Sequence, residues 1–144
     1  LSGCLAIMIA VDSLSDLVVP DLPDADRKEI DARAVELNDA ADRTRERRIS
    51  PADLEGGSFT ISNLGGVGGT SFTPIVYAPQ VAILGVSTAE MQPVWNGSKF
   101  APRLMLPLSL SYDHRVIDGA AAVRFTTFLG QKLSDIDVLL QATP

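Results

Sequence analysis

The sequence predicts an α/β fold. Strand-like runs alternate with two amphipathic helical stretches, one segment carries a large apolar residue at every second position from Leu104 to Tyr112, and 46% hydrophobic content over 144 residues is enough for one core. Alternation with period two lines one face of a strand, whereas apolar steps of three and four mark one stripe of a helix.

In chain order, residues 5–11 form a continuous apolar run and 17–19 a second, separated by the polar turn 12–16; Pro20 and Pro23 close the second strand. A helix follows, with Asp24 or Asp26 as its cap and Ile30, Ala34, Leu37 and Ala41 as its buried stripe, ending before Ser50-Pro51. Residues 50–54 are a short capped turn that leads through Gly56-Gly57 into a strand over 58–62. After the glycine-rich stretch 65–70, residues 80–86 form a further apolar strand, and 91–95 continue the sheet to a hairpin turn at Asn96-Gly97. Leu104, Leu106, Leu108, Leu110 and Tyr112 then line one face of a long strand, with Met105, Pro107, Ser109 and Ser111 on the other. Asp118 is placed as the N-cap of a second helix from Gly119, whose stripe is Ala122, Phe125, Leu129 and Leu133, and residues 135–141 add a terminal turn or short helix.

Composition narrows the function. A net charge of −6 argues against nucleic acid as the main partner, because neutralising phosphates needs a basic face. The arginines at 43, 45, 47 and 48 sit at a helix end, where cations meet the negative pole of the dipole. The single cysteine, Cys4, excludes an internal disulfide and a cysteine-built zinc cluster and reads as a buried small hydrophobe. The apolar run around it is too short to cross a bilayer and has no basic residues before it, so neither a membrane span nor a signal peptide is expected. The chain opens almost directly into this strand without a methionine, which reads as the start of a fragment truncated at its N-terminus.

The chemistry concentrates where the long strand stops. His114, the single histidine, stands between Asp113 and Arg115, with Asp118 four residues later. An imidazole takes and returns a proton near neutral pH, so His114 is a candidate general base; a satisfied structural histidine is the alternative for such a residue taken alone. Arg115 and Asp113 can pair and hold the loop that aims the ring, and Asp118 can hydrogen-bond in the site, cap the following helix, or both. The glycines between Gly65 and Thr70 lack the Gly-Lys-Ser/Thr ending of a phosphate loop, and Pro74 disfavours a long helix after them, so a tight backbone path is expected there rather than nucleotide cradling. Ser87, Thr88, Ser109 and Ser111 are candidate contacts to a bound substrate or plain solvent-facing hydroxyls.

Asp113-His114-Arg115-Val116-Ile117-Asp118-Gly119 resembles the Asp-His-Arg-x-x-Asp-Gly signature of the dihydrolipoyl acyltransferases, the core components of 2-oxo acid dehydrogenase complexes. Phe59-Thr60-Ile61-Ser62-Asn63-Leu64-Gly65 is similar to the same family's Phe-Thr-Ile-Ser-Asn-Leu-Gly segment. Residues 78–86 and 91–95 extend the likeness over nearly the whole chain, which covers the later part of the family's catalytic domain without its lipoyl and peripheral-subunit-binding domains. The sequence departs from the family's pattern at Asp16 and at Asp21-Leu22-Pro23.

The resemblance implies a two-layer sandwich of the chloramphenicol acetyltransferase type, a mixed sheet with helices on one face. It implies His114 as the base for the thiol of coenzyme A, attacking an acyl group, most simply acetyl, carried by a lipoyl-lysine on a domain outside this chain. It gives Ser62 as the donor to the oxyanion and Asp118 as its companion in the site, with Asp113 and Arg115 in support. It further implies a homotrimer in which His114 and Ser62 of one chain lie far apart and meet across a subunit boundary, the trimers building a cubic or dodecahedral core joined by dehydrogenase and dihydrolipoamide dehydrogenase components. Ile136, Val138, Leu139 and Leu140 are candidates for contact between trimers. A cytoplasmic location is expected for a bacterial protein, and the mitochondrial matrix for a eukaryotic one. A free acetyltransferase of the chloramphenicol type and a non-catalytic scaffold subunit are the alternatives; the Phe59–Gly65 segment opposes the first, and retention of both His114 and Ser62 opposes the second.

Overall fold

The structure is a computed structural model, described over residues 6–12 and 17–135. In chain order it contains β1 (Ile7–Asp12), β2 (Leu17–Val18), β3 (Asp21–Leu22), α1 (Ile30–Arg45), a 3-10 turn (Pro51–Leu54), β4 (Phe59–Asn63), β5 (Ala82–Val86), β6 (Glu90–Trp95), β7 (Phe100–Met105), β8 (Leu108–Tyr112) and α2 (Gly119–Ser134). The main sheet runs β2-β1-β4-β5-β8, with β3 also paired to β1. β1, β4 and β5 are parallel, and β8 returns antiparallel to β5, which makes the sheet mixed.

Strand register sorts the side chains into two faces. Ile7 aligns with Phe59, Ile9 with Ile61, Ile61 with Leu84, and Leu84 with Leu110, so these apolar residues share one face. Both helices pack there. Ile30, Ala34 and Leu37 of α1 line a cavity with Ile7, Ile9 and Ile61, and Phe125 of α2 meets Phe59 edge to face at 5.9 Å. Helices on one face of a mixed sheet is the arrangement that the family resemblance implied.

The other face carries Met8, Thr60, Ser62 and Ile83. It is crossed by residues 71–80, a strap without regular structure. Gln80 fastens the strap: its Oε1 accepts a 2.6 Å hydrogen bond from Thr60 Oγ1, and its Nε2 donates to the Gly57 carbonyl at 3.1 Å and to Met8 Sδ at 2.9 Å. Thr60 and Met8 are almost wholly buried beneath it. A side chain at Gly57 would overlap Met8 Cγ, so the approach of this backbone to β1 requires glycine.

Several sequence expectations are corrected. The apolar alternation from Leu104 to Tyr112 spans two strands, not one: β7 ends at Met105 and pairs with β6, whereas β8 begins at Leu108 and pairs with β5. Pro107 has no N–H for a ladder, and its carbonyl accepts instead from Ser87 N at 3.2 Å; the chain stays extended and so keeps the alternation while it changes sheets. Residues 91–95 therefore belong to a separate two-stranded sheet with β7 rather than continuing the main one. Pro20 does not end the pairing either, since its carbonyl accepts from Ile9 N at 3.0 Å and β3 resumes against β1.

The first helix starts later than anticipated. Asp24 has a positive φ of 56° and turns the chain, its carbonyl accepting from Arg27 N, so Glu29 rather than Asp24 or Asp26 precedes α1. Its buried positions are Ala40, Ala41 and Thr44, while Ile30 stays 58% exposed. In α2, Ala122 is buried, but Phe125 and Leu133 of the anticipated stripe are more than two-fifths exposed. The turn at 50–54 is as read: Asp53 Oδ2 accepts from Ser50 N at 2.9 Å and Ser50 Oγ at 2.6 Å, which holds its carboxyl down at about 2 with help from Arg43. The arginines at the end of α1 are drawn into ion pairs, Arg43 with Asp39 and Asp53 and Arg45 with Asp42. Cys4 and the apolar cluster at 136–140 lie outside the described residues.

Gly57→Ala is expected to destabilise the protein by about 1–3 kcal/mol through overpacking against Met8. Urea unfolding reads the change, and an unaltered midpoint would contradict the close approach.

Candidate active site

The segment after β8 is built around Asp113. Its backbone N donates to the Val81 carbonyl at 2.8 Å, extending the sheet by one residue, and its carbonyl accepts from Val116 N and Ile117 N, both at 3.0 Å. Its carboxylate accepts from Arg115 N at 2.9 Å and is gripped by the Arg115 guanidinium, Nε to Oδ1 at 2.9 Å and Nη2 to Oδ2 at 2.6 Å. The guanidinium's hydrogen bonds, then the backbone one, hold the Asp113 carboxyl at about 2, and Arg115 is pushed further up in return. The fork anticipated between these residues is therefore present.

His114 lies between these two anchored residues, its backbone fixed at both sides and its side chain exposed. Its ring leans on Tyr112, with centroids 5.6 Å apart and planes tilted by 40°. Among the described residues neither ring nitrogen is engaged in a hydrogen bond, and the imidazole is presented outward to solvent. Beside it a groove of about 540 Å³ runs between Asp113, Arg115 and Val116 on one side and the strap residues Val76 and Ala78–Val81 on the other.

Asp118 is held by the helix rather than by His114. It caps α2, its Oδ1 accepting from Ala121 N at 2.7 Å, and its carbonyl accepts from Ala122 N at 3.0 Å. Gly119, next in line, faces the Tyr112 hydroxyl, which would stand at ordinary van der Waals distance, 3.7 Å, from a Cβ there.

Ser62 is at the far end of the sheet. It is 8% exposed and aligns with Gly85, which aligns with Ser109, so the three lie in one row across β4, β5 and β8. β8 ends at Tyr112 and His114 stands in the turn beyond it, five residues after Ser109, while Ser62 lies two strands across from Ser109, so at about 3.3 Å per residue and about 4.8 Å per strand Ser62 and His114 of one chain are on the order of 15 to 20 Å apart. That separation rules out a direct partnership between Ser62 and His114 within one chain, as anticipated.

The surroundings of Ser62 are tied down. Asn63 Oδ1 accepts from Gly65 N at 2.8 Å, Thr88 Oγ1 donates to the Gly65 carbonyl at 3.1 Å, and Leu64 N donates to the Val86 carbonyl at 2.9 Å. The glycines at 68 and 69 have positive φ, and the chain after them becomes the strap, with no helix to offer its N-terminus to a phosphate. The loop turns at these positive-φ glycines, while Gly66, Gly68 and Gly69 themselves face open space rather than a closely packed neighbour. Ser87 is buried, and Thr88 is half-buried with its hydroxyl donating to the Gly65 carbonyl. Gln80 was not singled out from the sequence; its signal was a polar residue at the mouth of the apolar strand that follows. Among the described residues no three His, Cys, Asp or Glu side chains gather as a metal site would need, and no helix is long and apolar enough to cross a membrane.

Residues 2–141 match the family model for the 2-oxoacid dehydrogenases acyltransferase catalytic domain. The dihydrolipoyllysine-residue acetyltransferase component of the pyruvate dehydrogenase complex of Pseudomonas aeruginosa is 60% identical over 134 residues, 93% of this chain and 24% of its own length. A solved dihydrolipoamide acetyltransferase of Azotobacter vinelandii superposes with a TM-score of 0.93 at 54% identity, over 96% of this chain and 57% of that one; a serine, a histidine and an asparagine were investigated there for their role in the catalytic mechanism. A solved cubic core of a pyruvate dehydrogenase multienzyme complex matches equally well, with a TM-score of 0.93, 53% identity and the same coverage. The chain thus spans between about a fifth and a third of the length of the curated relatives it matches and somewhat over half of the solved cores.

Two outcomes follow from the geometry around His114. The Asp113 carboxyl is expected to titrate with a midpoint of about 2 in carbon NMR. Because that value is depressed in the folded state, the pair contributes above the ordinary carboxylate range near 4 and is lost as pH falls from there through about 2; a midpoint near 4 would mean the fork is absent. Asp118→Ala is expected to cost about 1 kcal/mol in thermal unfolding through loss of the cap, and Asp118→Asn only a small part of that, because an amide oxygen can also accept from Ala121 N.

Proposed function

This chain belongs to the 2-oxoacid dehydrogenase acyltransferase family by its catalytic domain, and on that premise we propose that it transfers an acyl group, acetyl first among them, from a lipoyl-lysine thioester to the thiol of coenzyme A. The observation that carries the proposal is a spacing. In the Azotobacter vinelandii protein the three residues investigated for catalysis are separated by fifty-two and four positions, a serine, a histidine and an asparagine in that order. Ser62, His114 and Asp118 stand at the same separations here, with aspartate where that protein has asparagine.

In this reading His114 takes the proton from the thiol of coenzyme A, and the sulfur attacks the acyl carbon of the lipoyl thioester. Ser62 donates a hydrogen bond to the oxygen that becomes negative as the carbon turns tetrahedral. The carbon–sulfur bond to the dihydrolipoyl group then breaks, and His114 returns its proton to the departing sulfur. One thioester is exchanged for another, so bond energies nearly balance and the protein's task is proton handling and placement. Asp113 and Arg115 position the ring by holding the backbone on either side of it, and Asp118 fixes the start of α2 just beyond.

A histidine and a serine on the order of 15 to 20 Å apart in one chain support a site shared between protomers. We place the acyl transfer at the boundary of a homotrimer, in an assembly of the cubic kind that the solved relative forms or of a dodecahedral kind. The dehydrogenase and dihydrolipoamide dehydrogenase components are the proposed partners, and the bacterial relatives favour a cytoplasmic setting.

The reaction is followed as acetyl-coenzyme A formed from S-acetyl-dihydrolipoamide and coenzyme A. His114→Ala is expected to lower kcat by about 10²- to 10⁴-fold, and Ser62→Ala by about 10²- to 10³-fold; full activity of the histidine variant ends the mechanism. Co-expression of the two variants distinguishes a shared site from a local one. Random trimers then hold about a quarter of their sites with both groups intact, and activity is restored to that level only when the residues come from different chains.

A further inference from the structure

The geometry points to Asn96 as a site of self-modification: at the tip of the β6–β7 hairpin its side-chain amide is placed for attack by the Gly97 backbone nitrogen, with loss of ammonia and passage through a cyclic imide to aspartate and isoaspartate. The residues concerned take no part in acyl transfer, so the inference stands apart from that reading. The hairpin ladder closes at the pair Trp95 and Phe100, and Asn96–Lys99 form an exposed turn in which Asn96 N donates to the Lys99 carbonyl at 3.1 Å.

The nucleophile is open. Gly97 has a φ of 100°, nothing stands within 4 Å of where its Cβ would be, and among the described residues its N–H donates to no acceptor. No side chain screens the nitrogen from solvent base or hinders its approach to the neighbouring carbonyl carbon. The electrophile is polarised as well. Asn96 Oδ1 accepts from Ser98 N at 3.1 Å, Lys99 N at 3.0 Å and Ser98 Oγ at 3.1 Å. These donors withdraw electron density from Cγ and meet the oxygen where negative charge develops as that carbon turns tetrahedral, which is the work of an oxyanion hole. The other two asparagines lack this combination. Asn38 lies inside α1 with the N–H groups after it held in the helix, and Asn63 is followed by Leu64, whose N donates to the Val86 carbonyl at 2.9 Å.

The chemistry needs only water. The Gly97 nitrogen loses its proton to solvent and bonds to Asn96 Cγ, closing a five-membered ring; the bond from Cγ to Nδ2 breaks, and the amide nitrogen leaves as ammonia with a proton from solvent. Water then opens the imide at either carbonyl. Cleavage of the new bond gives aspartate, and cleavage of the original peptide bond leaves the chain running through the side chain as isoaspartate, one carbon longer at the turn. The lengthened turn loosens the contact of Trp95 with Phe100, whose rings meet edge to face at 5.3 Å. Trp95 is the single tryptophan of the sequence, so its emission reports the change.

The test incubates the purified protein at neutral pH and body temperature in heavy-oxygen water and follows each asparagine by peptide mass mapping, with a carboxyl methyltransferase selective for isoaspartate as the probe for that product. Asn96 is expected to convert about tenfold or more faster than Asn38 and Asn63, because only its following nitrogen is unscreened. One oxygen from water enters per conversion, and tryptophan emission drifts in step with the isoaspartate fraction. Gly97→Ala is expected to slow conversion about tenfold or more by screening the nitrogen. Ser98→Ala is expected to slow it a few-fold by removing one donor from Oδ1, and it carries the test if Gly97→Ala opens the turn. Asn96→Gln, whose ring would be one atom larger, is expected to keep its emission constant. Conversion of Asn96 no faster than that of Asn38 and Asn63, or rates untouched by both the Gly97 and Ser98 variants, overturns the inference. Aspartate formed without isoaspartate means direct hydrolysis and overturns it too, as does an emission drift that persists in Asn96→Gln.

Discussion

The residue-for-residue alignment of β4, β5 and β8 is the constraint on which the site depends. It sets Ser62, Gly85 and Ser109 in one row and leaves His114 five residues beyond that row, at the opposite end of the same sheet. A slip of one residue in either pairing would turn Ser62 to the helix-covered face or move Phe72 off Gly85, over which its ring packs, since side chains alternate with period two. Apolar burial on one face and the Gln80 bonds on the other both oppose such a slip. Buried Met8, Thr60 and Ile83 require the strap, and the strap in turn requires Gly57 and Gly85, the two places where backbone has to come closer than a side chain permits.

Much of this was legible in the sequence wherever a local rule decides the outcome. Asp118 as a cap, the capped turn at Ser50–Asp53 and the end of the sheet before His114 each depend on a few neighbouring residues and are found where the residues imply, and the strand expected over 58–62 is found one residue further on, as Phe59–Asn63. The Asp113–Arg115 fork was legible for the same reason, two residues apart on one turn. The illegible features are non-local. Period-two alternation from Leu104 to Tyr112 records an extended chain but says nothing of its partner strand, so the change of sheet at Pro107 was hidden. Gln80 gave no sign of its partners because Thr60 and Gly57 lie about twenty residues earlier, and Phe72 reads as an ordinary loop aromatic until Gly85 is placed beneath it.

Periodicity also overstated burial. The apolar stripe of α2, Ala122, Phe125, Leu129 and Leu133, is spaced for one face, yet Phe125 and Leu133 remain more than two-fifths exposed, and the β6–β7 ribbon turns Met91, Trp95, Phe100 and Leu104 to one uncovered side. A pattern tells which face of an element is apolar, while the amount of cover depends on what is brought against it. In the described residues that cover is incomplete on the side of α2, where a cavity of about 360 Å³ opens between Phe125, Ile117 and the sheet residues Phe59 and Leu110.

A division of labour between the two ends of the sheet follows from their unequal construction. At the histidine end, every hydrogen bond of Asp113 is spent on backbone and guanidinium, and the imidazole is left outside this network, exposed to solvent. At the serine end the hydroxyl is nearly buried, walled by a strap and flanked by a glycine loop whose bonds fix its path. A base needs access to its proton and a water route for its return, whereas an oxyanion donor gains strength from exclusion of water. One chain cannot place both environments within a few ångströms when they grow from opposite ends of a five-residue strand pairing. In the proposed trimer a second copy's histidine end would come to the first copy's serine end, satisfying both requirements at once, and in a cyclic arrangement the same contact would close on itself three times.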